Sequence, residues 1–423
     1  MTYRAFDLPY GKGFIKAEVP EKNLSYVLAT KEIAGLPDEA AAITATLSSP
    51  TGASPLVEMV RPSDNVVVIV TDNTRACPEE RILPPVLAEL ERKVPRRNIT
   101  IIIALGLHPP LNRAQMIDKV GKDIVDNYNV VNHDVNDIVN LGTTPAGTPI
   151  DINRRVVEAD FRLSTGFIEP HLFAGFSGGR KSIAPGVFSV RSAYQNHGYK
   201  NIENPSARPG MTRGNPVHED MLELAKAAKL NFIVNVLLNK KKEITHVVAG
   251  DSVTAHEKGC DVARRIAGVS VPHKVDITIT TNSGAPLDHD FYQAVKGMET
   301  ASRITRDGGI IIEACLCNDG VGPKEYYDAH RVCARPIEVL QKVKREQPFG
   351  VQWENQILAR IQMRQDIYLV SQLDDKLVRE MMTTPIHSIE EGIEKALAAL
   401  GNDAEIAVIP EGPMVIPILE EER

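Results

Sequence analysis

Short runs of Val and Ile alternate with stretches in which apolar residues recur every three or four positions. Residues 65–71 (N-V-V-V-I-V-T) and 98–105 (N-I-T-I-I-I-A-L) are continuous apolar runs, typical of strands that helices cover on both faces. Between them, residues 78–93 carry apolar positions at helical spacing. This order predicts a βαβ unit, and therefore an α/β fold with a mainly parallel sheet.

The same alternation continues to the end of the chain. It predicts strands at residues 161–168, 231–238, 243–248 and 309–315, and helices at residues 113–127, 252–267, 290–304, 335–344, 374–382 and 389–400. A proline-bearing segment at 269–275 precedes a fresh β-α-β pattern, so we expect a domain boundary near residue 270. The prediction is an N-terminal α/β domain at 1–270, rejoined by the apolar tail at 404–423, and a C-terminal α/β domain at 271–403. Each domain should have a mainly parallel sheet flanked by helices.

Composition narrows the functional classes. A chain of 423 residues is long enough for two globular cores, and its net charge of -7 argues against general nucleic-acid binding. Because no apolar run approaches the roughly 18 to 20 residues that span a bilayer, a membrane role is not expected. The first residues lack a signal-peptide core and the five cysteines form no disulfide framework, so we expect a reduced, cytoplasmic protein. Cys315 and Cys317 are expected on one face of a strand, as buried small hydrophobes or, alternatively, as a metal or redox pair.

Polar residues directly follow three of the predicted strands. Asp72 and Arg75 come after the first, His108 after the second, and His171 after residues 161–168. Ligands of open α/β sheets bind beyond the carboxyl ends of the strands, so we expect these side chains along one sheet edge. Singly, each could be a helix cap, a surface cation or a loop histidine. Together, a carboxylate, a guanidinium and two imidazoles suit the binding of a carboxylate and the transfer of a proton.

The segment at residues 169–186 reads E-P-H-L-F-A-G-F-S-G-G-R-K-S-I-A-P-G. It would match the phosphate-binding pattern G-x-x-x-x-G-K-[ST] if glycine stood before Lys181 in place of arginine. Gly178 and Gly179 would let backbone N–H groups approach an anionic ligand, and Lys181 could be a point charge or a nucleophile. With His197 following, spacing alone indicates a phosphate-bearing ligand and leaves a metal open.

The C-terminal domain carries the segment D-F-Y-Q-A-V-K-G-M-E. On a helix, Tyr292 and Lys296 share a face, and Gln293 lies three positions before Lys296. Gly297 is expected to break the helical run, so these side chains should reach the interdomain cleft, where we place the active site. A solvated amphipathic face is the alternative. Trp353, the only tryptophan, is expected to pack in the core or to line the pocket.

Together these motifs resemble the lactate racemase family, whose members use a nickel-pincer nucleotide to racemise or epimerise 2-hydroxyacids. The matching segments are L-P-Y-G-K at residues 8–12, D-N-T-R at 72–75, G-L-H at 106–108, V-N-H-D at 131–134, L-G-T-T-P-A-G-T-P at 141–149, the whole of 169–186, Asn196-His197, and Y-Q-A-V-K-G at 292–297. They occur in the family's order over almost the whole chain. The glycine-lysine segment is the most specific of them.

The resemblance implies a role for each matching residue. Lys181 would tether the cofactor, pyridinium-3-thioamide-5-thiocarboxylic acid mononucleotide nickel, through a covalent bond, and His197 would ligate the nickel. His108 and His171 match the pair that exchanges a proton with the substrate hydroxyl. The remaining assignments are Arg75, Gln293, Lys296 and Trp353 to substrate binding, and Asp72, Gly178, Gly179 and Tyr292 to cofactor binding.

The implied enzyme is an isomerase that inverts C2 of a 2-hydroxyacid by proton-coupled hydride transfer through a 2-oxoacid. Removing hydrogen as hydride avoids a carbanion next to a carboxylate. Two histidines are needed because the two enantiomers present their hydroxyl groups in different directions. Expected partners are a small 2-hydroxycarboxylic acid and the proteins that make and load the cofactor.

Two other functions stay open at this point. One is a non-catalytic nickel-binding or cofactor-binding protein of the same fold, and the other is a P-loop nucleotide phosphotransferase. Pro185 and Gly186 argue against the second, because they would break the helix that a P-loop lysine begins. Pro109-Pro110 after His108 and Cys77 before Pro78 depart from the family's pattern, so the side chain of the substrate is left open.

Overall fold

The computed structural model describes residues 2–346 and 348–420. The strands are β1 (Tyr3–Tyr10), β2 (Gly13–Pro20), β3 (Leu24–Val27), β4 (Val66–Thr71), β5 (Ile99–Ala104), β6 (Asn129–Asn132), β7 (Ile138–Thr143), β8 (Pro149–Asn153), β9 (Phe161–Phe167), β10 (Pro170–His171), β11 (Gly175–Phe176), β12 (Phe232–Leu238), β13 (Ile244–Gly250), β14 (Gly268–Val271), β15 (Val275–Thr281), β16 (Thr305–Ala314), β17 (Asp366–Val370), β18 (Thr384–Ile386), β19 (Ile406–Ile409) and β20 (Ile416–Leu419).

The helices alternate with these strands along most of the chain. They are α1 (Glu39–Ser48), α2 (Leu56–Met59), α3 (Glu79–Glu91), α4 (Arg113–Val120), α5 (Lys122–Asn127), α6 (Arg154–Glu158), α7 (Val190–Asn196), α8 (Tyr199–Glu203), α9 (Pro216–Ala227), α10 (Thr254–Ala267), α11 (Phe291–Ile304), α12 (Lys324–Arg331), α13 (Pro336–Arg345), α14 (Gln352–Gln362), α15 (Asp375–Glu380) and α16 (Ile389–Leu400). Short 3₁₀ helices lie at Arg96–Asn98, Gly179–Ser182 and Gly412–Met414. Among the described residues, none of the helices has the length and apolar character needed to cross a membrane.

The chain divides into two compact units. Unit 1 contains the chain up to Lys31, the short piece Gly198–Glu203, and the chain from Ile266 on; unit 2 contains Glu32–His197 and Asn204–Arg265. Each unit has its own six-stranded sheet. The α/β class with two sheet-bearing parts, predicted from the alternation of strands and helices, is confirmed.

The sheet of unit 2 has the strand order β13-β12-β9-β4-β5-β6. All neighbours are parallel except β12 and β13. The central strands β4 and β5 are apolar except for Thr71 and Thr100, and they pack into one core with α1 and α3. Because β4, β5 and β9 run in the same direction, the residues that follow them lie along one edge of the sheet.

The sheet of unit 1 has the order β18-β17-β16-β15-β19-β3 and is entirely parallel. Successive residues of a strand point to opposite faces. On β16, Ile312 packs towards α16 and Glu313 towards α11, so these two helices cover the two faces of the sheet.

The tail and the first strands lie in a different place from the one predicted. The sequence predicted that residues 404–423 rejoin the N-terminal domain, but β19 pairs with β15 and β3, all within unit 1. The tail had to be buried because it is apolar, yet its apolar character does not specify which sheet it joins. β3 belongs to unit 1 because it pairs with β19.

Three local predictions also differ from the structure. The single helix predicted at residues 113–127 is two helices, because Gly121 has a φ of +95° between α4 and α5. Gly297 lies inside α11 and does not break it. β16 ends at Ala314 and Cys317 has a φ of +54°, so strand alternation does not apply to Cys315 and Cys317, although both are buried. No group of three or more metal-ligating side chains occurs in residues 2–346 and 348–420.

Candidate active site

An aspartate-histidine pair lies at the carboxyl edge of the unit 2 sheet. Asp72 directly follows β4, and its Oδ2 is hydrogen bonded to Nδ1 of His108, which follows β5. Burial opposes the charge on Asp72, but the hydrogen bond to His108 and the charges of His108 and Arg75 lower the pKa of Asp72 below its usual value. The buried carboxylate holds Nδ1 as the donor, while 46% of the His108 side chain remains exposed. Nε2 of His108 is therefore the nitrogen that can exchange a proton with a ligand.

Arg75 lies in the turn that begins at Asp72. Its backbone N–H donates to the carbonyl oxygen of Asp72 at 3.3 Å, and the Thr74 hydroxyl donates to the Asp72 carboxylate at 2.8 Å. The Arg75 guanidinium is half-buried and makes no hydrogen bond or ion pair within the part of the chain that the structure describes. Its parallel N–H donors are thus available for a carboxylate.

Lys181 lies in a compact loop between β11 and α7. Its N–H donates to the Gly178 carbonyl at 3.1 Å, and its own carbonyl accepts the N–H of Gly186 at 3.1 Å. The lysine is in the 3₁₀ helix Gly179–Ser182, and the next α-helix begins only at Val190. A P-loop needs a helix that starts at its lysine, so the phosphotransferase alternative is contradicted.

Arg180 shows why arginine stands where a P-loop has glycine. Its side chain is 0% exposed, and the guanidinium donates to the carbonyls of Ala174 at 2.6 Å and Phe176 at 2.9 Å. Nη1 also lies 3.1 Å from Nε2 of His256. Burial lowers the pKa of Arg180 to about 10, so the group is still charged at neutral pH. It is a buried cation whose hydrogen bonds hold the start of the loop in place.

The adjacent glycines of this loop are required by packing. A Cβ on Gly179, whose φ is +53°, would lie 2.6 Å from the His256 ring. The Gly179 N–H donates at 2.8 Å to Oδ1 of Asn235, which is fully buried on β12, so this amide is not left for an anion. Asn235 was not predicted from the sequence as a residue of the site. The only signal for it is a lone asparagine in the apolar run F-I-V-N-V-L-L.

Phe173 lies between two of the predicted histidines. Its ring centroid is 4.8 Å from that of His171 and 5.0 Å from that of His197, both in edge-to-face geometry. Nδ1 of His171 accepts the N–H of Ala174 at 3.3 Å, so in the neutral ring the proton is on Nε2. Burial and the charge of Lys181 lower the pKa of His197 to about 3, so this ring is neutral at physiological pH.

In unit 2, the turn that carries His108 and the loop that carries Lys181 are joined by a backbone hydrogen bond. The N–H of Gly106 donates to the Gly186 carbonyl at 2.9 Å, so the turn that leads to His108 rests on the loop of Lys181. Unit 2 thus gathers six of the predicted residues into one cluster of loops: Asp72, Arg75, His108, His171, Lys181 and His197.

The four candidate residues of unit 1 lie on two packed helices. Asp290 caps α11 by accepting the N–H of Gln293 at 2.7 Å, and Nζ of Lys296 donates to Oε1 of Gln293. The indole N–H of Trp353, on α14, donates to the Tyr292 hydroxyl at 3.3 Å. The structure therefore brings these predicted residues together. Their roles, and those of the unit 2 residues, stay predictions.

Gly297 lets α11 approach the sheet of unit 1 closely. A Cβ at this position would lie 2.6 Å from Oε1 of Glu313, which is fully buried. Burial and the charge of Asp288 raise the pKa of Glu313 well above its usual value, which favours the neutral form of this side chain. The sequence gives one sign of it, a single glutamate in G-I-I-I-E-A.

Comparison with known proteins covers both units. Residues 10–210 match the family described as the lactate racemase N-terminal domain, and residues 271–417 match the lactate racemase C-terminal domain. The chain is 38% identical over 421 residues to the lactate racemase of Thermoanaerobacterium thermosaccharolyticum, which covers 97% of this chain and 98% of that protein. It is also 38% identical to the lactate racemase of Lactiplantibacillus plantarum, over 97% of this chain and 99% of the relative.

Solved structures give the same result. The lactate racemase apoprotein from Thermoanaerobacterium thermosaccharolyticum superposes with a TM-score of 0.94 at 37% identity, covering 98% of this chain and 100% of that one. A protein from Thermotoga maritima, 19% identical, superposes with a TM-score of 0.69 over 92% of this chain and 100% of its own length. At that identity, the second similarity shows a shared fold alone.

Proposed function

The chain belongs to the lactate racemase family of isomerases, and from this premise we propose that it inverts C2 of a small 2-hydroxyacid by proton-coupled hydride transfer. The main support is the Asp72–His108 pair beside Arg75, with the turn that leads to His108 bonded to the loop of Lys181. This arrangement supplies a carboxylate-binding cation and an oriented base in one place. Lactate is the first substrate to test. Longer side chains remain open because Cys77 and Pro109 depart from the family's pattern.

The residues of unit 2 fit a nickel-pincer mononucleotide. His197 is a neutral imidazole, the form that binds metals, and the charge of Lys181 acts on it from nearby. Arg180 has no carboxylate partner within the described residues, so its buried positive charge favours an anionic phosphate near this loop. We propose that Lys181 holds the cofactor and that His197 ligates the nickel. When bound, the cofactor supplies the acceptor that takes hydride from C2 and returns it.

The protein's own residues bind the substrate and move its proton. Arg75 binds the substrate carboxylate as a fork, which fixes the position of C2. Nε2 of His108 takes the hydroxyl proton, and Asp72 stabilises the imidazolium that forms. The substrate becomes a flat 2-oxoacid, and protonated His171 donates the proton that forms the hydroxyl group of the other enantiomer. In unit 1, we assign Gln293, Lys296 and Trp353 to the substrate and Tyr292 to the cofactor.

The test uses holoenzyme produced with the cofactor-synthesis proteins. Its intact mass after denaturation is measured first, to show that the cofactor is attached. Single enantiomers of lactate, malate and longer 2-hydroxyacids are then incubated in D₂O, and chiral chromatography with mass spectrometry follows both inversion and deuterium content. Hydride transfer predicts inversion with protium kept at C2, because the hydrogen never reaches the solvent. Removal of a proton from C2 by a histidine would instead introduce deuterium.

Each result decides between the open functions. If the loaded protein inverts none of the acids, the non-catalytic cofactor-binding function replaces the racemase. Inversion with deuterium at C2 would retain the racemase and overturn the hydride mechanism. In Lys181→Ala the added cofactor mass should be absent after denaturation; its presence would show that the tether is another residue.

A further inference from the structure

Lys119, on α4, is a buried lysine that the proposed mechanism does not use. It is 6% exposed, and its ammonium donates to the carbonyls of Arg75 at 3.0 Å and Cys77 at 2.9 Å. It has no carboxylate partner in the described part of the chain. Burying an ammonium without a counter-ion is unfavourable unless hydrogen bonds compensate for the lost water. The loop carbonyls are therefore the partners that keep this charge in place.

The loop that Lys119 holds is the one that carries Arg75. Between β4 and α3, residues 72–78 are also held at both ends: Oδ2 of Asp72 is bonded to Nδ1 of His108, and the carbonyls of Cys77 and Pro78 accept N–H groups from the first turn of α3. In the middle of the loop, the Arg75 N–H donates to the Asp72 carbonyl at 3.3 Å. A cavity of about 360 Å³ is lined by Arg75, Cys77 and Lys119, among others. Because one side of the loop faces this cavity, few side chains pack against that side. The two hydrogen bonds from the Lys119 ammonium support the loop there.

Glu79 secures the other end of the same loop. It is fully buried, and its Oε1 accepts the backbone N–H of Thr71 at 2.9 Å and the Thr71 hydroxyl at 2.8 Å. Its Oε2 accepts the Thr165 hydroxyl from β9. Burial and the charge of Glu79 raise the pKa of the Cys77 thiol, whereas the charge of Lys119 lowers it, so both charges act on this residue from nearby. A buried anion and a buried cation thus enclose the loop.

We propose that Lys119 is a positioning residue that fixes the backbone of Arg75, so that the guanidinium meets the substrate carboxylate beside Asp72 and His108. The inference rests on the proposed function, in which Arg75 binds the substrate. The bond to the Arg75 carbonyl holds the main chain and leaves the guanidinium available. Lys119 itself does not touch the substrate.

The principal test is a double-mutant cycle on kcat/KM. Lys119→Met keeps the length and apolar stem of the side chain and removes its N–H donors. We expect kcat/KM to fall about 10- to 100-fold, mostly through KM, because a small misplacement of a binding group costs up to about 100-fold. In an Arg75→Met background the same change should have almost no further effect, because Lys119 acts through Arg75. An equal loss in both backgrounds would show a direct effect of the Lys119 charge and overturn the proposal.

A second measurement separates this proposal from the proposed function. Amide hydrogen exchange of residues 72–78 should be faster in Lys119→Met and unchanged in Lys122→Met, a control that removes an exposed lysine from α5. If the wild type inverts no 2-hydroxyacid, the proposed function fails, but faster exchange confined to Lys119→Met still supports the loop-positioning role. Equal exchange in the two variants overturns that role. If Lys119→Met does not fold, Lys119→Gln, which keeps one donor group, replaces it in both measurements.

Discussion

The two units hold their candidate residues in opposite ways. In unit 2 the residues come from Asp72 to His197 in the sequence, and loops after three strands bring them together. In unit 1 three of the four residues lie within five consecutive positions of α11. A helix fixes the relation of its side chains by its own geometry, whereas a cluster of loops depends on every bond that holds the loops. Substitutions at supporting positions should therefore damage unit 2 more than unit 1.

The largest effect is expected at the base of unit 2. His108→Gln should lower kcat about 1,000-fold, because it removes the proton acceptor, while the covalently bound cofactor mass stays the same. Asp72→Asn should lower kcat about 100-fold, because the amide no longer favours Nδ1 of His108 as the donor. Racemisation rates and intact mass are measured on each variant. As a control, His246→Gln on β13 should be nearly neutral. Activity above a tenth of wild type in His108→Gln would contradict the assignment.

A substitution at Arg180 tests whether the stability of unit 2 can be lowered without a change in the stability of unit 1. Arg180→Met should lower the free energy of unfolding of unit 2 by about 3 kcal/mol, because the carbonyls of Ala174 and Phe176 lose a buried donor. Amide hydrogen exchange of β4 and β9 reports this loss, while exchange of α11 should not change. The matched control, the exposed Arg97→Met, should change the stability by less than about 0.5 kcal/mol. Equal acceleration in both units would mean that they unfold together.

Buried histidines should make unit 2 sensitive to acid. Burial, with the charge of Arg180, lowers the pKa of His218 to about 2 and that of His256 to about 3. Their folded forms stay neutral while the unfolded chain takes up protons below its pKa of about 6.5, so their contribution to stability is complete above that pH and falls as the pH is lowered. Each of the two histidines should lower the free energy of unfolding by about 2 kcal/mol between pH 6.5 and pH 5.

Variants measure this pH dependence for each unit. In His256→Gln, the loss of unit 2 stability between pH 6.5 and 5 should be smaller than in wild type by about 2 kcal/mol. Urea unfolding with amide hydrogen exchange, at pH 6.5 and at pH 5, gives the stability of unit 2 in the wild type and in the variant. Unit 1 contains His330, whose pKa burial lowers to about 4, and His330→Gln should reduce the pH dependence of that unit alone. An unchanged slope in both variants would show that other groups cause the acid sensitivity.

Periodicity predicted some of the elements that bear the site, but not α14, which carries Trp353, or α7, which precedes His197. Continuous apolar runs predicted β4 and β5, and three- and four-residue spacing predicted α11 and α16, because these patterns record which faces are buried. The same patterns do not record which element covers a face. The tail strand β19 was predicted to be buried, yet its place between β15 and β3 depends on contacts far apart in the sequence.

Site residues that directly follow a strand could be predicted from the sequence. Residues that support a loop could not. Asp72 and His108 were expected at one sheet edge because both follow parallel strands, and the structure joins them by a hydrogen bond. Asn235, Lys119 and the inward side chain of Arg180 were not assigned these roles, because charged and amide groups are usually exposed. Their burial is favourable only when particular carbonyls and amides of distant loops are in place.

The smallest effect is expected in unit 1, at the hydrogen bond between Trp353 and Tyr292. Trp353→Phe keeps an aromatic ring on α14 and removes the indole N–H that donates to the Tyr292 hydroxyl at 3.3 Å. A neutral bond of this kind contributes about 1 kcal/mol, so kcat/KM should fall about fivefold. Tyr292→Phe removes the acceptor, and the double variant should lose little more than either single variant. Additive losses would show that the two side chains act independently, and that the helices of unit 1 do not need this bond to hold Gln293 and Lys296 in place.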